Sequence, residues 1–571
     1  MMNAKLIIIG CLLSIQVIAQ KDEVQLIGVG NRSVEPAYRM TESPRILDTS
    51  FVTKVPDYPL LALQYPTMIQ LESITPATIK TEPKLNQLYP GYVKLGIGSE
   101  LMPLGEVYFD SKRSRKYVYG IHIKHLSSFG NFKNYAPAQF DRTRVDANGS
   151  INEKDYTAKT HLYYSNQGLH YYGWEIPTDS VDRKTIAQRY QHIGGAVSYA
   201  SHQKDSSKFN YEVGLEYSHF NSKKPLEDSL FEWRARENQV NISGKGTYRF
   251  GKEVFGVDLG IRYNGYRYGN EGDTLGSSAD SALVVNNTIV NLKPHITTNM
   301  LNNRFKALVG LDLVLDANEV TRFYVFPTLE LKYSLFNDLF IPYVGLRGGV
   351  KQTSFRSLTE QNEFILSNVT LRNENTTIDF YGGFKGTLSK KMSFHVGASF
   401  ARIKDKAFFV TDTLLSVGNK FNVLYDTLNL TTIEGSLSYQ LNEKLKVDAI
   451  GRYYSYALLN NAYAWNMPDW QATVRGNYNL FSKFVINLDL NFEGGRKALV
   501  YTLDDDVIVE NLQYAKPLGL IADINLGLEY RYNKRLSAFI QFNNVASQRY
   551  NRWYNYPVQV FQVLGGITAR F

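Results

Sequence analysis

Several segments of this chain alternate strictly, and the two faces of the alternation call for different solvents. Phe484, Ile486, Leu488, Leu490 and Phe492 interleave with Asn487, Asp489, Asn491 and Glu493. Ala522, Ile524, Leu526, Leu528, Tyr530 and Tyr532 interleave with Asp523, Asn525, Gly527, Glu529 and Arg531. Phe209 to Tyr217 and Phe255 to Tyr263 repeat the pattern, with Glu212, Glu216, Asp258 and Arg262 on the second face. A period of two is strand geometry, with successive side chains on opposite sides of a sheet. Carboxylates and guanidinium groups make a poor inner face for a soluble sandwich. A barrel with lipid outside and water inside satisfies both faces at once. The final strand has the same form: Phe561, Val563, Gly565, Ile567, Ala569 and Phe571 share one face, and Phe571 ends the sequence. A closing strand with a terminal aromatic at the membrane rim is usual for bacterial outer-membrane barrels.

The connections alternate in length. Short polar turns are expected at Ser165-Asn166-Gln167-Gly168, Gly251-Lys252, Leu301-Asn302-Asn303, Phe336-Asn337-Asp338 and Ser389-Lys390-Lys391. Three more are expected at Asn442-Glu443-Lys444, Ser482-Lys483 and Asn533-Lys534-Arg535. Longer stretches lie between them: Ser128 to Lys154, Asp179 to Arg189, Asn221 to Arg236, Gly269 to Ala282, Thr353 to Asn373, Lys404 to Val423, and Gly494 to Lys516. Counting strands between these marks gives about 22. The expected fold is all-β: a transmembrane antiparallel β-barrel with short periplasmic turns and long extracellular loops, in the outer membrane of a Gram-negative bacterium. An even strand count puts both ends of the barrel on the periplasmic side.

The N-terminus reads as a secretory signal over residues 1–19. Lys5 is the charged region, Leu6 to Ile18 the apolar run, and Val17-Ile18-Ala19 the cleavage site. A rival reading takes Ile8-Ile9-Gly10-Cys11 as a lipoprotein cleavage site, with only five apolar residues before the cysteine. If Cys11 leaves with the signal, the mature chain has no cysteine and no disulfide framework. After residue 20 no run of about 18 apolar residues offers a transmembrane helix. Residues 20–90 hold eight of the 18 prolines, so they are expected to form an extended arm, periplasmic or lumen-filling. The barrel is expected over 91–571.

The 40 Tyr and 31 Phe suit aromatic girdles, where a ring sits in lipid and a hydroxyl in water. The net charge of +9 is dispersed, with no dense basic run, so no nucleic-acid partner is expected. Such charge suits a pore lining, or outer-membrane lipid and the phosphates of lipopolysaccharide. The charged residues on the second face (Glu212, Glu216, Asp258, Arg262, Asp312, Asp489, Asp523, Glu529, Arg531) are expected to line the lumen. They either set selectivity or bridge one another, and bridging is the simpler reading. Asp146-Ala147-Asn148-Gly149-Ser150-Ile151 is similar to a calcium loop, but that register puts Arg144 at the first ligand position. An Asn-Gly turn in an outer loop is expected there instead. His161, His170, His192, His202 and His219 fall close together without metal-ligand spacing. No catalytic, cofactor-binding or metal residues are expected, and the chain is not expected to be an enzyme.

Two segments carry a family resemblance. Phe542-Asn543-Asn544-Val545, Arg549-Tyr550, Tyr554-Asn555-Tyr556-Pro557, Gly565 and Phe571 resemble the last hairpin of TonB-dependent-receptor barrels. Leu88-Tyr89-Pro90-Gly91-Tyr92-Val93-Lys94-Leu95-Gly96-Ile97-Gly98, Pro103-Leu104-Gly105-Glu106 and Tyr119 to Ser128 resemble the barrel start of a plugless family of that type. The resemblance covers residues 88–571 and implies a 22-stranded barrel moving a solute across the outer membrane. Receptors of that type carry a globular plug of more than about a hundred residues, whereas the arm here is shorter and proline-rich. The alternative is an accessory subunit of an outer-membrane complex for uptake, secretion or barrel assembly, with other outer-membrane proteins or lipoproteins as partners. A TonB contact would have to use Val24-Gln25-Leu26-Ile27-Gly28-Val29, which is slender support for one. So wide a barrel needs something in its bore: the arm, the long outer loops, or another protein.

Overall fold

The structure, a computed structural model, describes residues 88–174, 181–202, 209–223, 233–269, 283–442, 444–502 and 512–571. The expected signal sequence, nearly all of the arm and the Val24–Val29 segment lie outside the described residues.

The strands begin with β1 (Gly91–Gly98), β2 (Met102–Asp110), β3 (Tyr117–Ser128), β4 (Phe140–Asn152), β5 (Tyr156–His170) and β6 (Ala187–Ser201). Next come β7 (Asn210–Asn221), β8 (Arg234–Phe250), β9 (Glu253–Gly269), β10 (Leu283–Met300), β11 (Phe305–Ala317), β12 (Thr321–Tyr333) and β13 (Ile341–Lys351). A helix, α1 (Phe355–Gln361), precedes β14 (Glu374–Ser389), β15 (Met392–Asp412), β16 (Lys420–Asn442), β17 (Leu445–Leu458), β18 (Trp470–Leu480) and β19 (Phe484–Gly494). The last are β20 (Lys497–Thr502), β21 (Leu512–Pro517), β22 (Ile521–Arg531), β23 (Leu536–Asn543), β24 (Asn551–Trp553), β25 (Tyr556–Pro557) and β26 (Gln562–Arg570).

Twenty-two of these strands form one antiparallel sheet closed on itself. Each pairs with its neighbour in sequence, and β20–β21 and β24–β25 are small hairpins outside the ring. The last strand meets the first: Tyr92 faces Arg570, Gly96 faces Gly566, and Gly98 faces Leu564. Gly91 and Phe571 exchange backbone hydrogen bonds of 2.9 and 3.0 Å. Two glycines make this closure possible. A Cβ on Gly566 would stand 2.0 Å from the Leu95 carbonyl oxygen, and one on Gly91 would stand 2.3 Å from the Phe571 ring. Closure leaves no exposed sheet edge in the membrane, which has no water to satisfy one.

The outward face is apolar and open, as a lipid-facing surface must be. Leu215, Val257, Leu311, Val396 and Ile567 are each 44–54% exposed on strand faces. Tyr117, Tyr119, Tyr532 and Phe571 stand exposed near the rim of short turns, as an interfacial girdle requires. In those turns Asn302, Asn303, Asn337 and Asp338 take positive φ, which Asn and Asp tolerate best.

Several sequence expectations are corrected. Ser165–Gly168 is not a turn but lies inside β5, and Ser128–Lys154 is mostly β4, with the turn at 153–155. The Asn148-Gly149 pair is therefore in a strand, facing His161 and Thr160. The outward face of β4 (Asp141, Thr143, Val145, Ala147, Gly149, Ile151) is too weakly apolar for its alternation to show. Likewise Lys404–Val423 is not a loop: β15 and β16 run through it, leaving only 413–419. A bulge between Ile403 and Lys406 shifts the register and hides the period there. Two outer connections, 99–101 and 318–320, are also as short as the turns of the opposite rim.

Candidate functional site

The largest buried apolar cluster is not in the wall but at the mouth ringed by the long loops. It gathers Phe355, Leu358, Phe364, Ile365, Leu366, Val369 and Leu371 from the β13–β14 connection. These pack on inward-facing Leu169, Tyr190, Phe220 and Tyr266 of β5, β6, β7 and β9, and on Phe421 and Tyr556. A surface loop rarely carries so many apolar residues. These are apolar because the loop folds into the barrel rather than over its outside.

Each end of the loop is tied down. Asn373 donates to Asp316 of β11 at 2.7 Å and exchanges hydrogen bonds with Asn287 of β10. Its side-chain oxygen also accepts from Thr353 N at 3.1 Å. Helix α1 starts at Ser354, whose Oγ accepts from Ser357 N while Ser357 Oγ accepts from Ser354 N. Two further first-turn amides, Phe355 N and Arg356 N, donate to the carboxylate of Glu237 on β8 at 2.8 and 3.0 Å. Glu237 is fully buried and also accepts from Asn264 Nδ2 at 2.8 Å. A buried carboxylate so surrounded is well satisfied, and it pins the helix to the wall. The Phe355 ring stacks on Tyr266 with centroids 5.5 Å apart and meets Phe220 at 5.8 Å.

Beyond the helix the loop crosses the bore. Glu363 pairs with Arg142 of β4 at 3.0 Å and accepts from Gln167 of β5. Two residues later, Ile365 forms a bridge with Phe421 of β16: Leu366 N donates to Phe421 O, and Phe421 N to Phe364 O, both at 2.9 Å. Strands β5 and β16 stand eleven positions apart in a ring of 22, on opposite walls. A ring of that size is about 44 Å across, from the spacing and tilt of strands. Three residues of chain reach only about 10 Å, so the β15–β16 hairpin must lean across the mouth to meet the loop. The register agrees: β17 pairs with β16 only from Leu428 onward, and Ile365 covers the free edge above it.

Tyr556 locks the closure. Its ring is buried, stacks on Phe364 at 3.8 Å and meets Tyr172 edge-on at 4.8 Å, and its hydroxyl donates to Asn419 O. Asn419 Nδ2 donates to Tyr171 O at 3.0 Å, and Tyr172 donates to Pro557 O at 3.0 Å. Four outer connections therefore meet at one residue. Burial holds the Tyr172 and Tyr556 hydroxyls well above the usual phenol range. Nearby, buried Arg496 donates to the carbonyls of Asn551 and Arg552 at 2.9 and 2.8 Å, and desolvation lowers its guanidinium to about 10.

The charged residues singled out from sequence lie on inward faces, and several bridge as the simpler reading supposes. Asp312 meets Lys293 at 2.7 Å, Arg475 meets Asp489 at 3.5 Å, and Arg531 meets Glu529 at 3.7 Å. Glu216 accepts from Tyr163 at 2.7 Å, Asn525 donates to Asp523 at 3.1 Å, and Arg262 donates to Val350 O at 3.3 Å. The five histidines do not converge. His161 meets Asp146 at 3.3 Å, His170 meets Gln139 O at 2.6 Å, His202 meets Thr157 at 2.8 Å and His219 meets Asn238 at 2.9 Å. His192 lies among the rings of Tyr163 and Phe220. Among the described residues no three His, Cys, Asp or Glu side chains are grouped to hold a metal ion. Sequence reasoning missed Glu237, Glu363 and the joint role of Tyr172 and Tyr556. The density of apolar residues between Phe355 and Leu371 was the one signal available for the closure.

No family model matches the chain, and no curated protein matches it in sequence. Solved structures do match in shape. The siderophore receptor PirA from Acinetobacter baumannii aligns with a TM-score of 0.63 at 11% identity, over 86% of this chain and 81% of that one. The pyoverdine outer membrane receptor FpvA from Pseudomonas aeruginosa PAO1 aligns at 0.61 and 12%, over 86% and 79%. The copper transporter OprC aligns at 0.59 and 11%, over 84% and 80%. At these identities the likeness is one of fold: this is the closed 22-stranded architecture of TonB-dependent-receptor barrels.

Proposed function

We propose that this chain is a TonB-receptor-like importer of a small solute across the outer membrane of a Gram-negative bacterium, and not an enzyme. The observation that carries the reading is the loop 352–373 folded across the mouth of a wide barrel, where it meets the leaning β15–β16 hairpin. A barrel of this width with a closable extracellular mouth suits admission of a selected solute, and a structural neighbour is a siderophore receptor and another a copper transporter. In this reading the proline-rich arm of residues 20–90 stands where a full plug would otherwise be, and the mouth loop supplies part of the seal. A strain lacking the gene, compared with its complemented parent, should lose uptake of one solute from a labelled panel of ferric chelates, copper and neutral oligosaccharides. Unchanged uptake of the whole panel overturns import.

One observation favours the accessory role as a second reading. At the tip of the β15–β16 hairpin, Leu414 is 90% exposed and Val417 71% exposed. Bare apolar tips suit a docked outer-membrane protein or lipoprotein. Mild detergent extraction should then copurify a stoichiometric partner, and a clean monomer removes this reading.

A further inference from the structure

We infer that the extracellular mouth holds a binding site for a neutral, hydroxyl-rich solute with the chemistry of a short oligosaccharide. The inference deepens the import reading by naming the solute class, and depends on it only for the fate of the ligand. The site is a partly enclosed cavity of about 400 Å³, bounded by the mouth loop at Glu363 and Phe364, by β4 and β5, and by β22, β23 and the last outer connection. This volume falls within the range of about 300–1,000 Å³ usual for small-molecule sites.

The lining is rich in amides with hydrogen-bonding capacity left over. Asn543 and Gln562 are register partners on β23 and β26, so their side chains lie side by side on the inner face. Among the described residues, the side-chain amides of Asn543, Gln562 and Gln139 make no hydrogen bond. Gln559 donates to Ser128 Oγ at 3.2 Å, but its Oε1 is buried without a donor. A buried amide oxygen left so is unfavourable until a donor arrives. Each amide offers both donors and an acceptor, and neighbouring hydroxyls on a sugar ring need both. An apolar platform completes the set. Tyr550 lines the cavity half-buried, and its ring contacts no other aromatic among the described residues. It is free to lie against the C–H face of a pyranose. Burial pushes the Tyr550 hydroxyl up to about 12, so it stays a neutral donor and acceptor.

The charges argue against an anionic chelate. The lining holds one guanidinium, Arg142, and two carboxylates, Glu363 and Asp523. Arg142 is already committed to Glu363 at 3.0 Å. A catecholate or phosphate ligand would need cations free to meet it, and this cavity supplies carboxylate in excess.

The test is calorimetry on the purified full-length protein in detergent. The probes are neutral hexasaccharides of glucose (α- and β-linked), xylose and mannose, with a ferric catecholate complex as the anionic probe. At least one neutral glycan should bind saturably. Asn543→Ala and Gln562→Ala should each weaken it about tenfold, the loss of one or two hydrogen bonds. Tyr550→Leu tests the same cavity through stacking and should weaken binding at least as much. Electrophoretic mobility before and after heating confirms that each variant has folded. Binding of no neutral glycan, binding indifferent to all three variants, or binding of the ferric complex alone overturns the inference. Glycan binding without cellular uptake would leave the site standing and remove import. Uptake of a ferric chelate without glycan binding would do the reverse.

Discussion

The wall and the mouth of this barrel are built from different interactions. In the wall, every strand is bonded to two neighbours and its outer face meets lipid, so many small backbone terms repeat around a ring. In the mouth, closure rests on a few individual contacts between residues far apart in sequence: Glu237 with the start of α1, Glu363 with Arg142, Phe421 with Ile365, and Tyr556 with Phe364. None of those contacts belongs to the backbone ladder that closes the wall. Damage to the wall should therefore abolish the folded barrel, whereas damage to the mouth should leave it folded and open.

The harshest test of the wall is Gly566→Val. The new side chain would collide with backbone of β1 at the seam, where even a Cβ is 2.0 Å from the Leu95 carbonyl oxygen. The expected outcome is no heat-modifiable barrel band on electrophoresis. A normal band would show that the seam has slack that the geometry denies. The mouth counterpart is replacement of residues 354–372 by a short Gly-Ser linker. That variant should keep the barrel band and raise single-channel conductance in planar bilayers several-fold. Deleting residues 20–90 as well then asks whether the arm occludes the lumen. A further rise assigns it part of the seal, and no change rules out the arm as a plug.

A single-atom change in the mouth is next. Glu237→Gln keeps the shape but turns one acceptor oxygen into a donor facing either Phe355 N or Arg356 N. Loss of one charge-assisted bond, with an amide left facing a donor, weakens the anchor of α1 by about 2–3 kcal/mol. More frequent open events in bilayer recordings, with unaltered thermal unfolding of the wall, are the expected result. A lowered unfolding temperature with conductance unchanged would mean that Glu237 serves the wall instead.

The same contrast governs what was legible in the sequence. The strands β7, β9, β19 and β22 could be read directly, because lipid demands an apolar side chain at every second position. Even so, β4 was hidden. Its outer face includes Asp141, Thr143, Ala147 and Gly149, so neither face announces lipid. The extended ends of β15 and β16 were hidden for another reason. The bulge at Ile403–Lys406 moves the period by one, and above the membrane both faces of the hairpin are covered by protein. The mouth loop has no period at all. Its apolar residues show that it is buried, but not against what. Glu237 lies 118 residues before Phe355, among strand residues of similar polarity, and no local rule connects them. Recurring solvent demand can be read from a sequence, whereas one-off pairings need the fold.

The smallest expected effect is also the sharpest probe of how the mouth is held. Tyr556→Phe keeps the ring that stacks on Phe364 and meets Tyr172 edge-on, and removes only the hydroxyl that donates to Asn419 O. Asn419 also bonds through its side chain to Tyr171 and the rings stay packed, so the four connections stay in contact. The loss should be about 1 kcal/mol, or about fivefold in the balance of open and closed mouths. Conductance recordings can resolve a shift of that size, and unfolding of the whole barrel cannot. If opening changes about fivefold, hydrogen bonds and ring packing share the closure as the geometry implies. If the variant opens as fully as the loop replacement, the Asn419 bond alone holds the hairpin over the bore, and the aromatic stack follows it passively. If nothing changes, ring packing holds the mouth, and Tyr556→Ala should reproduce the open state that Tyr556→Phe does not.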